Sequence, residues 1–178
     1  MMHEGANFWI RRADPNHARD YIRLIKGILA EDPPVDTPYA PGEFNPATGT
    51  IRDLITELNA GDNSLFLIAE SEGVIGALTC RGGELEASRH CTSLGIYVAQ
   101  PVRDQGVGSA LMRHMVEWAT ASPLLERVEL DVFAGNARAI HLYEKYGFAR
   151  EGVKRRMYYR GGVPIDMLMM ALLFEKKP

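Results

Sequence analysis

Cysteine is scarce in this chain of 178 residues: only Cys80 and Cys91 occur, and neither has a His or Cys neighbour at metal-ligand spacing. Disulfide scaffolds and zinc clusters need several such residues at fixed intervals, so both are excluded and two free, buried thiols are expected. Histidine is sparse too. His3, His17, His90, His114 and His141 are scattered without a His-Glu-x-x-His pattern, and no metal is expected. Long apolar runs are missing as well, the longest being Met167 to Phe174, far short of the roughly 20 residues that cross a bilayer. The first residues are broken by His3, Glu4, Asn7 and Arg11. They offer no signal-peptide core, so a cytoplasmic location without a membrane partner is expected. A dominant charge is also absent, since 20 Lys+Arg against 23 Asp+Glu leave −3.

What is present is an ordinary globular composition, 46% hydrophobic and 24% charged, of a length that fits a single domain over 1–178. Phe8 to Arg11 reads as a short strand. Asp14-Pro15 then caps a helix over 15–30, with Tyr21, Ile22, Ile25, Ile28 and Leu29 at helical spacing. The stretch 32–50 holds five of the ten prolines and reads as a loop of functional length. A second helix, with Ile51, Leu54, Ile55 and Leu58 on one side, ends at Gly61. Apolar runs at 64–69, 74–80 and 91–99, broken by Glu70 to Gly73 and by Gly82-Gly83, predict an antiparallel meander. Beyond it the pattern alternates: a helix over 106–121, a strand over 128–132, a helix over 136–146, then strands near Phe148 and over 164–174. The class is α/β, with a mixed, partly antiparallel sheet.

The most informative stretch runs from Val98 to Leu111, where an apolar strand enters a turn holding Arg103, Gly106 and Gly108 and an amphipathic helix follows at once. Such a turn aims unpaired N–H groups and the positive end of a helix dipole at one point, which favours phosphate. Leu111 stands where a dinucleotide fingerprint needs a third small residue, and Gly108-Ser109-Ala110 stands where a Walker loop needs Gly-Lys-Ser/Thr. Both of those sites are excluded. About 30 residues downstream, Asn136, Ala139 or Ile140, and Tyr143 form one helical stripe that Gly147 ends before Phe148.

On these two motifs together the chain resembles the GNAT superfamily of acyl-CoA-dependent N-acyltransferases, most strongly from Leu94 to Phe174. The resemblance implies a mostly antiparallel sheet of about seven strands flanked by about four helices. It implies acetyl-CoA as co-substrate, its pyrophosphate held by the turn Arg103, Asp104, Gln105, Gly106, Val107, Gly108 and Ser109. It implies a bulge in the strand Leu94 to Val98, whose freed amides near Ile96, Tyr97 and Val98 meet the oxyanion, a pantetheine-side Asn136 next to Ala139, and Tyr143 as general acid. A phenol, with a reference pKa of about 10 against about 8.5 for a thiol, stays protonated at neutral pH and can donate to the leaving sulfur. The segment Thr37 to Phe44 lies where the family places its variable acceptor wall, so Tyr39, Glu43 and Phe44 are candidate acceptor contacts; Glu43, Glu84, Glu86 and His90 are candidate bases. The C-terminal pattern from Glu151 to Ala171 looks like the branch holding amino-acid, antibiotic and protein N-acetyltransferases. A small primary amine, an L-amino acid or an amino-bearing toxin, is the first expected acceptor, and an N-terminal peptide amine the second. Homodimers are common in the family. A noncatalytic acyl-CoA-binding protein would share the turn without needing Tyr143. Seven Lys+Arg against two Asp+Glu between Arg138 and Arg160 raise a nucleic-acid module, which the overall charge and the lack of a recognition motif disfavour.

Overall fold

A computed structural model of the chain describes residues 7–32, 37–40 and 42–175. Pro33, Pro34 and Pro41 of the proline-rich stretch, and His3 and Glu4 near the start, lie outside the described residues. The elements are β1 (Trp9–Arg12), α1 (Ala18–Leu29), α2 (Thr48–Ala60), β2 (Leu65–Glu70), β3 (Val74–Gly82), β4 (Cys91–Val98), α3 (Val107–Ala121), β5 (Arg127–Phe133), α4 (Ala137–Lys145), β6 (Ala149–Arg160) and β7 (Val163–Leu173). One seven-stranded sheet takes the order β1-β2-β3-β4-β5-β7-β6. Every neighbouring pair is antiparallel except β4 with β5.

Two apolar layers cover the sheet. On one face Leu111, Met112 and Met115 of α3 pack with Leu65, Leu67, Leu78, Val128 and Met170. On the other, Ile25 of α1 and Ile51 and Ile55 of α2 pack with Phe66, Ile68 and Ala77. β2 sends alternate residues into both layers, so its sequence reads as an unbroken apolar run. Asp14 caps the short Pro15–His17 turn before α1, its Oδ1 accepting from the Asn16 amide at 2.8 Å. β6 is the surprise of the chain. Only a strand near Phe148 is visible in the sequence, yet it runs for 12 residues along the sheet edge. Its charged and exposed side chains hide the alternation, as edge strands commonly do. It is also bulged, its pairing stepping from Lys154↔Met167 to Tyr158↔Ile165, with Arg156 at φ +53 and its amide held by Asp166 Oδ1 at 2.8 Å.

Both cysteines are free, as expected; Cys80 is buried but Cys91 only half so. Cys80 pairs in register with Leu94, so the two thiols do not face each other. Burial pushes the Cys80 thiol and the Tyr21 and Tyr143 phenols up from their ordinary values. The fold therefore favours the neutral forms. Their contribution is fully present below the unfolded-state values, about 8.5 for a thiol and about 10 for a phenol, and is lost as pH rises toward the raised folded values. In a Tm scan we expect stability to fall from about pH 9 upward; a Tm still flat at about pH 11 would contradict this origin.

Candidate active site

The site begins where two strands part. β4 and β5 pair only through Cys91↔Arg127, Thr92↔Val128 and Ser93↔Glu129, although β4 continues to Val98 and β5 to Phe133. The sheet thus opens into a V whose inner edge on one side is the second half of β4. Ala99 donates to the Ile75 carbonyl at 3.0 Å, and Gly83 to the Cys91 carbonyl at 3.0 Å, so the odd-numbered residues of β4 bond β3. Backbone groups alternate in direction along a strand, which turns the amides of Ile96 and Val98 into the opening. The expected bulge is absent: β4 keeps an unbroken register with β3 from Thr92 to Val98. Parting from β5 frees the amides instead.

The opening widens into a cleft of about 900 Å³ that touches Ile96, Tyr97, Val98, Arg103, Asp104, Gly106, Gly108, Ser109, Asn136, Ala139 and Tyr143. One wall is the turn before α3. Gly106 caps that helix at φ +85, and Asp104 also takes a positive φ of 62°. A methyl group on Gly106 would meet nothing within 4 Å, so the glycine is needed for its backbone conformation alone. Gly106→Ala is expected to cost about 1–2 kcal/mol, lowering Tm by a few degrees and raising the KM for acetyl-CoA; an unchanged Tm and KM would show that the turn tolerates the left-handed conformation without glycine. Gly108 has a different reason, since a methyl there would lie 3.3 Å from Leu142 of α4. Gln105 and Val107 do not border the cleft in the same way: Gln105 bonds the Pro101 carbonyl at 2.8 Å, and Val107 is buried in the core.

The other wall is α4. Asn136 is its cap, Oδ1 accepting from the Ala139 amide at 3.1 Å. Tyr143 is buried, its ring 5.9 Å from that of Phe148, and burial raises its phenol further, with the nearby Tyr97 adding to the shift. Arg138, His141 and Lys145 also line the cleft. They stand three and four residues apart on one face of α4, a spacing visible in the sequence but obscured by the apolar stripe beside it.

Arg103 does not point freely at the cleft. Its Nη1 and Nη2 grip both carboxylate oxygens of Glu31 at 2.6 Å each, and Nε donates to the Val98 carbonyl at 3.0 Å. Glu31 had no sequence signal. Of the candidate acceptor contacts, Tyr39 and Phe44 stack edge to face at 5.3 Å; burial raises the phenols of Tyr21 and Tyr97, with Tyr39 a lesser cause of each shift. Glu43 instead folds back on its own loop, Oε2 accepting from the Ala40 amide at 2.7 Å. Glu84, Glu86 and His90 precede the start of β4. Six residues of extended chain separate His90 from Ile96, about 20 Å, so none of the three reaches the opening as a base. Within the basic stretch from Arg138 to Arg160, Arg138 pairs with Asp104, Arg150 with Glu144 and Lys154 with Asp131. Among the described residues, no helix is long and apolar enough to cross a membrane, and no metal-ligating cluster occurs.

Comparison with known proteins agrees with this geometry. Residues 29–148 match the model of the acetyltransferase (GNAT) family. An L-amino acid N-acetyltransferase of Escherichia coli, AaaT, is 39% identical over 106 residues, a match that takes in 59% of this chain and 65% of the relative. The crystal structure of a GNAT-family acetyltransferase from Streptococcus pneumoniae superposes with a TM-score of 0.88 at 28% identity, covering 94% of this chain and 99% of that one. The fold is also that of yncA from Salmonella typhimurium, solved with its cofactor acetyl-CoA, at a TM-score of 0.82 and 16% identity over 97% of this chain and 96% of that one. With the family match spanning most of the sequence, and a parted β4–β5 pair flanked by the glycine turn and the tyrosine helix, this chain belongs to the acetyltransferase (GNAT) family.

Proposed function

We propose that the protein transfers the acetyl group of acetyl-CoA to the primary amine of a small molecule, an L-amino acid before any other class. The observation that carries the reading is the convergence of the freed Ile96 and Val98 amides, the turn before α3 and Tyr143 on one cleft. The pyrophosphate would lie on the amides of the turn and the cationic face of α4, and the thioester would reach the inner edge of β4. There the free amine attacks the carbonyl carbon, the oxyanion is met by backbone N–H groups, Tyr143 gives its proton to the departing sulfur as the C–S bond breaks, and the proton lost from the attacking nitrogen returns to the phenolate directly or through water.

Two features favour an amino acid over a polycation. Asp104 is the one carboxylate among the described residues lining the cleft, and Arg138 neutralises it at 3.1 Å. A polyamine would find no anionic anchor there. Meanwhile Arg160, at the end of β6, donates through Nη2 to the carbonyl of Thr37, a cleft residue, at 3.1 Å. That puts positive charge beside the acceptor loop, where a substrate carboxylate is favoured. The kinship with AaaT points the same way. Thiol release from acetyl-CoA, measured against L-amino acids, polyamines, aminoglycosides and short peptides with free N-termini, is expected to be fastest with the amino acids. Preference for peptides would move the acceptor to a protein N-terminus. Acetyl-CoA raising Tm with no thiol released across the panel would support the noncatalytic reading instead.

A further inference from the structure

In the sequence, Arg103 reads as a phosphate ligand; the geometry points to a different task. We infer that Arg103, held by Glu31, is a positioning residue for the oxyanion amides and acts on the acyl end of the donor rather than on its pyrophosphate. The inference rests on the thioester lying at the inner edge of β4, as proposed above.

Three observations carry it. Both carboxylate oxygens of Glu31 engage the guanidinium in a bidentate pair, and the Glu31 side chain is only 6% exposed, that of Arg103 20%. Such a fork is planar and fixed, so the guanidinium orientation is set before any ligand arrives. Its Nε then holds the Val98 carbonyl. Val98 is one of the residues whose backbone groups face the V, having lost β5 as a partner after Ser93. β3 still holds the other edge of β4 through Gly76, but on the edge facing the V the Val98 carbonyl has no strand partner, and the Arg103 bond takes that place. Finally, Glu31 directly follows the last turn of α1 and precedes the acceptor loop, so one guanidinium ties α1, β4 and the turn before α3 together. Lysine can supply the charge but not the planar fork or the Nε bond.

The test compares two donors, acetyl-CoA and S-acetylpantetheine, which keeps the thioester and lacks the pyrophosphate. Arg103→Lys and Glu31→Gln are each expected to lower kcat about 10- to 100-fold, the scale of a small misplacement of reacting groups, and by the same factor with both donors. A loss confined to the KM of acetyl-CoA, absent with S-acetylpantetheine and absent in Glu31→Gln, would overturn the inference and return Arg103 to the phosphate. The double variant Glu31→Arg with Arg103→Glu restores an ion pair but leaves no donor for Val98. Its Tm is expected to recover relative to the single variants while kcat stays low with either donor. Recovery of kcat along with Tm would show a merely structural pair and overturn the inference. If the wild-type protein releases no thiol from either donor, the proposed function falls and this inference with it; wild-type turnover with donor-specific losses sinks the inference alone.

Discussion

Replacing Tyr143 by Phe is expected to lower kcat by about 10²- to 10⁴-fold, the range supplied by a positioned general acid, with acetyl-CoA binding close to wild type. The substitution removes one hydroxyl and keeps the ring, so the packing against Phe148 survives and Tm should move little. The phenol is suited to the task because burial pushes its pKa up. In the proposed mechanism it stays protonated across the working range and gives up its proton only as the sulfur takes on charge. Two pH consequences follow. The rate should climb about tenfold per pH unit below the amino pKa of the acceptor, because only the free amine attacks. It should show no descending limb from Tyr143 below about pH 10, the ordinary value of a phenol. Tyr146 serves as the control. Its hydroxyl donates to the Ser109 carbonyl at 2.5 Å and ties α4 to α3, so Tyr146→Phe should act on stability and not on the chemical step. A Tyr143→Phe enzyme with wild-type turnover would place the acid elsewhere.

The sequence carries the parts of this site that are local. A glycine that must hold φ +85, an asparagine at a helix start and a tyrosine seven residues on are set by short-range geometry, and each stands where its motif puts it. The helices at 18–29 and 107–121 are readable for the same reason, since their apolar residues recur with the turn of a single helix. Misreadings come from long-range pairing. A bulge in β4 is what a strand needs if its neighbour continues alongside, and nothing in Leu94 to Val98 tells that β5 leaves after Glu129. Arg103 carries a charge suited to phosphate, and nothing near it in the sequence tells that Glu31, 72 residues earlier, grips its guanidinium. Glu84, Glu86 and His90 have the right chemistry for a base but the wrong end of the strand, a fact fixed by the direction of β4 rather than by residue type. The length of β6 is hidden because an edge strand needs no apolar face to be held; its ladder with β7 suffices.

Phe66→Ala should be the most damaging of the core changes, at about 3–5 kcal/mol for a fully buried aromatic. Phe66 is 0% exposed, and its ring meets that of Tyr21 edge to face at 5.2 Å and 78°. β2 is bonded on both sides, to β1 and β3, so the backbone beneath the ring is held and does not shift to close the space. Against a total stability of about 5–15 kcal/mol the variant still folds, and its kinetics then report what each layer supports. Phe66 belongs to the layer under α1 and α2, which carries Tyr21 and leads to Glu31 and the acceptor loop. Leu111, equally buried, belongs to the layer under α3 and sits one turn beyond the glycine turn. Leu111→Ala is expected to cost about 2–5 kcal/mol and to raise the KM for acetyl-CoA more than that for the amine, and Phe66→Ala the reverse, together with a lower kcat through the loosened Glu31–Arg103 grip. Steady-state constants for both substrates decide it. Equal shifts in the two variants would mean that the sheet does not divide donor from acceptor, and that the cleft responds to the core as one body.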